Sequence, residues 1–171
     1  AAAGMAGGSA DGAAVLRGLR DILCPEMPDS QLETMGAQVG SDVPFCVVGG
    51  TCMCEGRGEI LRRIANMPQC YFVICKPEFS VSTPELFRVI DEVAISKRPD
   101  HVSMDCALAE GDLEKVAQNV FNVFDPVVTA VHPELNDIKA VFSDYGAMTG
   151  QMTGSGSATF AIVGELPYVL R

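Results

Sequence analysis

The 171-residue chain reads as an α+β protein, and three patterns predict that class. Apolar residues recur at helical spacing over Val15, Leu16, Leu19, Ile22 and Leu23, then again in Thr83–Val93, from Met104 to about Val120, and in His132–Tyr145. Short runs rich in β-branched and aromatic residues, Cys70–Cys75 above all, read as strands. The two kinds of pattern segregate imperfectly along the chain, which favours α+β over a strictly alternating parallel architecture.

Residues 1–12 are almost all Gly, Ala and small polar types, so the first helix is expected to start near Ser9 and to stop before Pro25. Ser30-Gln31-Leu32-Glu33 has the form of a capping box, opening a helix that carries Leu32, Met35 and Val39 and ends at Gly40. Gly40-Ser41-Asp42-Val43-Pro44-Phe45 then leads into an apolar segment, Cys46–Val48. A Gly49-Gly50 break, a strand over Thr51–Cys54 and a Glu55–Glu59 turn close this half. In the second half, Cys70–Cys75 stops at Pro77 and reads as a buried strand. Pro84 takes the first helical position of Thr83–Val93, where its missing N–H costs nothing. The last helix places Leu135, Ile138, Phe142 and Tyr145 on one face, with Gly146 as its C-cap. Met148–Met152 and Ala158–Val163 form a final strand pair around Thr153-Gly154-Ser155-Gly156-Ser157. No internal repeat is present.

Composition narrows the function. With 48% hydrophobic and 20% charged positions the chain is not disordered, and a chain of roughly 150 residues buries about 70% of its unfolded surface without needing disulfide or metal staples. Twelve basic residues stand against 22 acidic ones, a net of −10 with the signs interspersed, which argues against a general nucleic-acid binder or a binder of anionic membranes. No apolar run approaches the roughly 20 residues of a membrane span, so the chain is expected to be soluble and cytoplasmic. Seven cysteines make an odd count. Cys24, Cys46, Cys70, Cys75 and Cys106 lie in apolar stretches, and Cys52-Met53-Cys54 has no partner pair at zinc spacing, so neither a disulfide framework nor a structural metal is expected.

Three segments carry possible chemistry. Gly4-Met5-Ala6-Gly7-Gly8-Ser9-Ala10-Asp11 runs straight into a helix, where glycines and a helix start present backbone N–H groups to an anion. It has neither the lysine of a P-loop nor dinucleotide spacing, and it is equally a pliable lead-in to a helix. Asp42 ahead of Pro44 is either a cap or a carboxylate placed to take a proton from an attacking hydroxyl. Met152–Ser157 is either a hairpin turn or a second amide nest facing a phosphate. His101 and His132 are isolated, His132 resembling a helix entry. Arg57, Arg62 and Arg63 fit a solvated surface, and Met148 and Met152 fit a core.

In this order the segments resemble the GHMP kinase superfamily, and within it the branch acting on diphosphocytidyl-methylerythritol. The glycine run is similar to that family's ATP-phosphate motif, Gly40–Phe45 to its Gly-Ala-Asp-Val-Pro-Phe segment, and Met152–Gly156 to its Met-Ser-Gly-Ser-Gly motif. Gly49-Gly50-Thr51 and Gly56-Arg57-Gly58-Glu59 also fit. The resemblance implies a GHMP kinase fold. Residues 1–55 would end an incomplete N-terminal ATP-binding domain of the ribosomal S5 domain 2-like type, and residues 56–171 would form a ferredoxin-like C-terminal domain. It further implies transfer of the ATP γ-phosphoryl group to the 2-hydroxyl of a small-molecule substrate, diphosphocytidyl-methylerythritol, in non-mevalonate isoprenoid synthesis, with Mg²⁺ as cofactor.

By position, Ala1, Ala2, Ala3, Gly4, Met5, Ala6, Gly7, Gly8, Ser9 and Ala10 would line the ATP phosphates, Ser9 being a candidate magnesium contact. Asp42 would be the catalytic base, and Thr153, Gly154, Ser155 and Gly156 would close over phosphate or substrate. Other metal ligands and the oligomeric state stay unassigned. The family's catalytic lysine, its cytosine-sandwiching aromatics and its last helix and strand have no counterpart here. Both ends are therefore expected to be truncated, and the 171-residue chain alone is expected to turn over little or no substrate. A homoserine- or mevalonate-type kinase, and a nucleotide-binding module without turnover, are the alternatives.

Overall fold

The computed structural model describes residues 3–95 and 97–165, so Ala1 and Ala2 lie outside the described residues. Two compact units result, one of residues 6–66 and one of residues 67–165 together with residues 3–5.

In the first unit α1 (Gly7–Leu23), α2 (Asp29–Val39) and α3 (Val43–Val48) precede a hairpin of β1 (Cys52–Glu55) and β2 (Ile60–Arg63). α1 stops at Cys24, ahead of Pro25, which disfavours a helical conformation in the residue before it. α2 begins after Pro28, so the expected capping box is not formed. Ser30 is already helical, its carbonyl accepting from the Thr34 hydroxyl, and the acid nearest the positive helix end is Asp29, paired with Arg20 at 2.5 Å. The segment beyond Gly40, expected as a turn and a separate apolar run, is the helix α3. Pro44 fits its first turn, and Arg17 Nη1 donates to the carbonyls of Cys46 (2.6 Å) and Val47 (3.3 Å) at its far end. β2 was not signalled by its Ile-Leu-Arg-Arg composition. It exists because β1 pairs with it antiparallel, Cys52 opposite Arg63 through Glu55 opposite Ile60.

The core of this unit is Ala13, Leu32, Val43 and Val47, with Leu16, Met27 and Cys46 packed against it. Val43 fills a socket walled by glycines. A Cβ at Gly36 would lie 2.9 Å from Val43 Cγ1, while one at Gly12 or Gly40 would lie 3.8 or 3.5 Å from Cγ2. The apolar stripe of α1 is largely outside this core, since Val15, Leu19, Ile22 and Leu23 are exposed, as are Met35 and Val39 on α2.

The second unit holds β3 (Tyr71–Cys75), α4 (Thr83–Glu92), α5 (His101–Glu110), α6 (Leu113–Asn119), α7 (Asp125–Val131), α8 (Glu134–Asp144), β4 (Thr149–Met152) and β5 (Thr159–Val163). The strands form one antiparallel sheet in the order β3-β5-β4, with Val73 opposite Ala161 and Gln151 opposite Phe160. Leu86, Val128, Leu135 and Met152 centre the core.

Five expectations change here. The helix expected from Met104 to Val120 is two helices. Gly111 ends α5 in the left-handed region (φ 67°), and the Asp112 carboxylate accepts from Lys115 N at 3.0 Å to start α6. α7 was not anticipated, because Asp-Pro-Val-Val-Thr-Ala-Val is poor in strong helix formers; burial of Val128 overrides that propensity. On α8, Leu135 is buried and Ile138 packs on the core, but Tyr145 is exposed beyond the last turn, where Gly146 (φ 79°) redirects the chain. β3, expected buried, exposes Tyr71, Phe72, Val73 and Ile74, since it is an outer strand while α8 packs on β4 and β5. Met148, expected in the core, is also exposed.

The cysteines are free, and Cys24 and Cys106, expected in apolar surroundings, are exposed. Among the described residues no group of three His, Cys, Asp or Glu side chains suits a metal, and no helix is long and apolar enough to cross a membrane.

The Val43 socket makes a measurable prediction. Gly36→Ala should lower unfolding free energy by about 1–3 kcal/mol through overpacking against a stiff β-branched side chain. Gly18→Ala, in the open on α1, should raise it by about 0.5–1 kcal/mol. Urea unfolding of the two variants decides; a stabilised Gly36→Ala would mean that the socket is loose.

Candidate functional site

The glycine-rich start is shared between the two units: Ala6, Gly7, Gly8, Ser9 and Ala10 belong with the first, Ala3, Gly4 and Met5 with the second. In the first unit Ala6 is left-handed (φ 47°, ψ 32°) and launches α1, whose ladder opens with Ala10 N donating to Ala6 O at 2.9 Å. The N–H groups of Gly7, Gly8 and Ser9 precede that bond and have no helical carbonyl to meet. A Cβ at Gly7 or Gly8 would meet nothing within 4 Å, so both stand in open space at the start of the helix. No acidic residue occupies the first turn, and no side chain caps it. A bare N-terminus of a 17-residue helix is an anion-favouring surface.

Asp42 lies in the same unit, immediately before α3. It occupies the cap position, yet its carboxylate makes no capping bond, so the cap expected from its sequence context is not realised. It is exposed, while the adjacent Val43 packs near Gly12 in α1. Gly58, at φ +118°, lets the β1–β2 turn come close: a Cβ there would sit 3.2 Å from Asp42 Oδ1. The carboxylate's charge is felt nearby. Burial pushes the Cys46 thiol up and Asp42 adds to the shift; for Cys54, burial leads, followed by Cys52 and Asp42. A solvent-facing carboxylate with no capping bond is free to accept a proton from solvent or a neighbouring hydroxyl.

The second unit joins the other two expected pieces. Gly4 (φ +69°) lies backbone to backbone against Thr153–Gly156: a Cβ on Gly4 would fall 2.1 Å from Thr153 O, and one on Gly154 (φ +51°) 2.8 Å from Gly4 O. Thr153 Oγ1 donates to Gly4 O at 3.0 Å, and Ala158 N donates to Ala3 O at 3.2 Å. The loop after β4 is braced on its other side by Ser157 Oγ donating to Phe79 O (2.6 Å) and by the Thr83–Ser155 hydroxyl pair (2.7 Å). Phe79 in turn stacks on His132, centroids 3.8 Å apart, so the histidine expected at a helix entry sits between α7 and α8 as a packing residue. The ladder does not extend evenly through Thr153–Ser157, although Gly156 N donates to Thr153 O as a turn would.

Two residues that sequence reasoning missed hold this loop. Asn122 Nδ2 donates to Met152 O (2.7 Å) and Gly154 O (2.8 Å), and buried Asp125 accepts from Met152 N at 2.8 Å through Oδ2. Asp125 Oδ1 is shared by Thr129 Oγ1 and the Lys139 ammonium. The signal available was Asn122-Val123-Phe124-Asp125 ahead of Pro126, which marks a helix start and says nothing of a strand 30 residues away.

Residues 1–50 match the family described as GHMP kinases N terminal domain, and residues 107–167 match GHMP kinases C terminal. The chain is 42% identical over 163 residues to 4-diphosphocytidyl-2-C-methyl-D-erythritol kinase of Caldicellulosiruptor bescii, covering 95% of this chain and 57% of that protein. It is 40% identical over 166 residues to the same-named kinase of Clostridium tetani, covering 97% and 58%. The chain thus spans a little over half the length of the curated relatives it matches. A crystal structure of 4-(cytidine 5'-diphospho)-2C-methyl-D-erythritol kinase superposes with a TM-score of 0.76 at 28% identity, over 94% of this chain and 57% of that one. Leishmania major mevalonate kinase in complex with R-mevalonate shares the fold at TM-score 0.67 and 19% identity, over 92% and 56%. With the N-terminal and C-terminal models of one family together matching more than half of its residues, this chain belongs to the GHMP kinases.

Proposed function

We propose that this chain is part of an ATP-dependent kinase that phosphorylates the 2-hydroxyl of 4-diphosphocytidyl-2-C-methyl-D-erythritol in non-mevalonate isoprenoid synthesis, a cytoplasmic step. Residues 1–55 then end the ATP-binding domain and residues 56–171 belong to the C-terminal domain. The observation that carries this reading is the ordered set of a bare helix start at Gly7–Ser9, an uncapping carboxylate at Asp42 and a glycine loop at Thr153–Gly156, in a chain about 40% identical to kinases bearing that name.

In the reaction the acceptor oxygen attacks the γ-phosphorus of ATP, the bond from that phosphorus to the β,γ-bridging oxygen breaks, and ADP leaves. The hydroxyl proton passes to the Asp42 carboxylate. Phosphoryl transfer demands positioning and charge neutralisation more than covalent assistance, and the orphan amides of α1 supply fixed partial charge without competing acids. Mg²⁺ supplies further neutralisation when it travels with the nucleotide. A magnesium ion commonly takes few protein ligands beside substrate phosphates, and Ser9 at the start of α1 is the residue offered to it. Fold kinship with mevalonate kinase keeps another alcohol acceptor as the second reading.

Two measurements on the whole protein test these assignments. ADP release should depend on the cytidyl substrate and be small with mevalonate or homoserine; equal rates with all three would remove the cytidyl assignment. Asp42→Asn should lower kcat about 100-fold or more while ATP binding is retained, as loss of a general base predicts. Unchanged turnover would remove Asp42 from the role.

A further inference from the structure

β4 is an outer strand of its sheet, so alternate residues direct their N–H and C=O groups away from β5. At Met152, the last residue of β4, both outward groups are taken by side chains from one short segment: Asp125 Oδ2 accepts its N–H and Asn122 Nδ2 donates to its carbonyl. The second hydrogen of the same Asn122 amide reaches Gly154 O, across the start of the loop. Asn122 Oδ1 is also occupied, accepting from Phe124 N at 2.9 Å. Only this orientation of the amide works, since the flipped one would set an oxygen against two carbonyl oxygens.

The pair has its own foundation. Asp125 is buried, and its other oxygen is held by Thr129 and Lys139, so the acceptor for Met152 N is fixed from three sides. The next link is steric. Gly154, whose carbonyl Asn122 fixes, has its Cα pressed against the Gly4 backbone, and neither residue has room for a side chain there. An amide that sets the position of Gly154 therefore sets the position of Gly4 as well.

We propose that Asn122 is a positioning residue: by spanning the Met152 and Gly154 carbonyls it holds the Thr153–Gly156 loop, and the Gly4 backbone lying on it, in the shape that receives the ATP phosphates. This rests on the phosphate reading of that loop given above. Asp125, with Lys139 and Thr129 behind it, is the anchor against which Asn122 works.

The test uses two substitutions in the whole protein. Asn122→Ser keeps a short acceptor for Phe124 N but cannot span the two carbonyls. Asn122→Asp keeps the acceptor and turns a carboxylate toward both carbonyl oxygens. Asn122→Ser should raise the KM for ATP about tenfold with kcat within about threefold, as expected when ground-state and transition-state binding fall together. Asn122→Asp should raise it further, with the far-UV spectrum unchanged. Without ATP, amide hydrogen exchange across residues 153–158 should quicken about tenfold or more in both variants while α5 is unchanged.

Unchanged exchange in the loop overturns the proposal, since Asn122 then holds nothing. Faster exchange with an unaltered ATP KM also overturns it, because the loop would be ordered by Asn122 yet not meet the nucleotide; a rise confined to the acceptor's KM has the same force. In both cases a wild-type protein that still releases ADP leaves the kinase reading standing, whereas a wild-type protein that releases none removes that reading and this one together. If Asn122→Asp does not fold, Asn122→Ser decides alone.

Discussion

The constraint on which the second unit turns is the approach of two backbones with no side chain between them. Gly4 and Gly154 touch across a sequence separation of about 150 residues; Gly4 O, for example, accepts from Thr153 Oγ1, 149 positions away. The glycines there answer a steric demand: a Cβ on Gly4 would stand 2.1 Å from a carbonyl oxygen, and both residues have positive φ, where L side chains are strained. The start of the chain is thereby stitched to the end of the sheet, and Asn122, Asp125, Ser157 and Thr83 each brace the loop that receives it.

Glycine serves a different purpose a few residues on. Gly7 and Gly8 touch nothing that a Cβ would disturb, so no packing demand explains them at the start of α1. In the first unit Gly12, Gly36 and Gly40 do the opposite, closing around Val43 and so placing the residue before it, Asp42. One residue type thus gives close backbone contact, an open helix end and a packed socket, and only the neighbours tell these apart.

The charge distribution is consistent with that division of labour. In a chain with a net charge of −10, helices α2, α4, α6, α7 and α8 carry an acid in the first turn, where it complements the helix dipole. The longest helix, α1, carries none. The helix without an acid in its first turn that is led by the glycine run is therefore also the longest among the described residues.

Local chemistry made much of this legible from sequence. The caps and breaks at Pro25, Gly40, Pro84 and Gly146, the strand pair around Thr153–Ser157 and the family's ordered segments all depend on backbone preferences that a residue carries wherever it sits. What failed was decided by pairing and packing, or by local caps that outweighed the periodicity. β2 exists through pairing with β1, α7 through burial of Val128, and the break between α5 and α6 pitted Gly111 and Asp112 against an apolar periodicity that ran through them. Burial was the least legible quantity: β3 and the stripe of α1 have core composition and exposed faces, because hydropathy states what a side chain tolerates and not what is packed on it. The site divides in the same way. Gly4, Asp42 and the Thr153–Gly156 loop were identifiable as residue types suited to phosphate chemistry, but the bracing of the loop by Asn122 and Asp125 required the fold, since a hydrogen bond across 30 residues leaves no periodic trace in the chain that makes it.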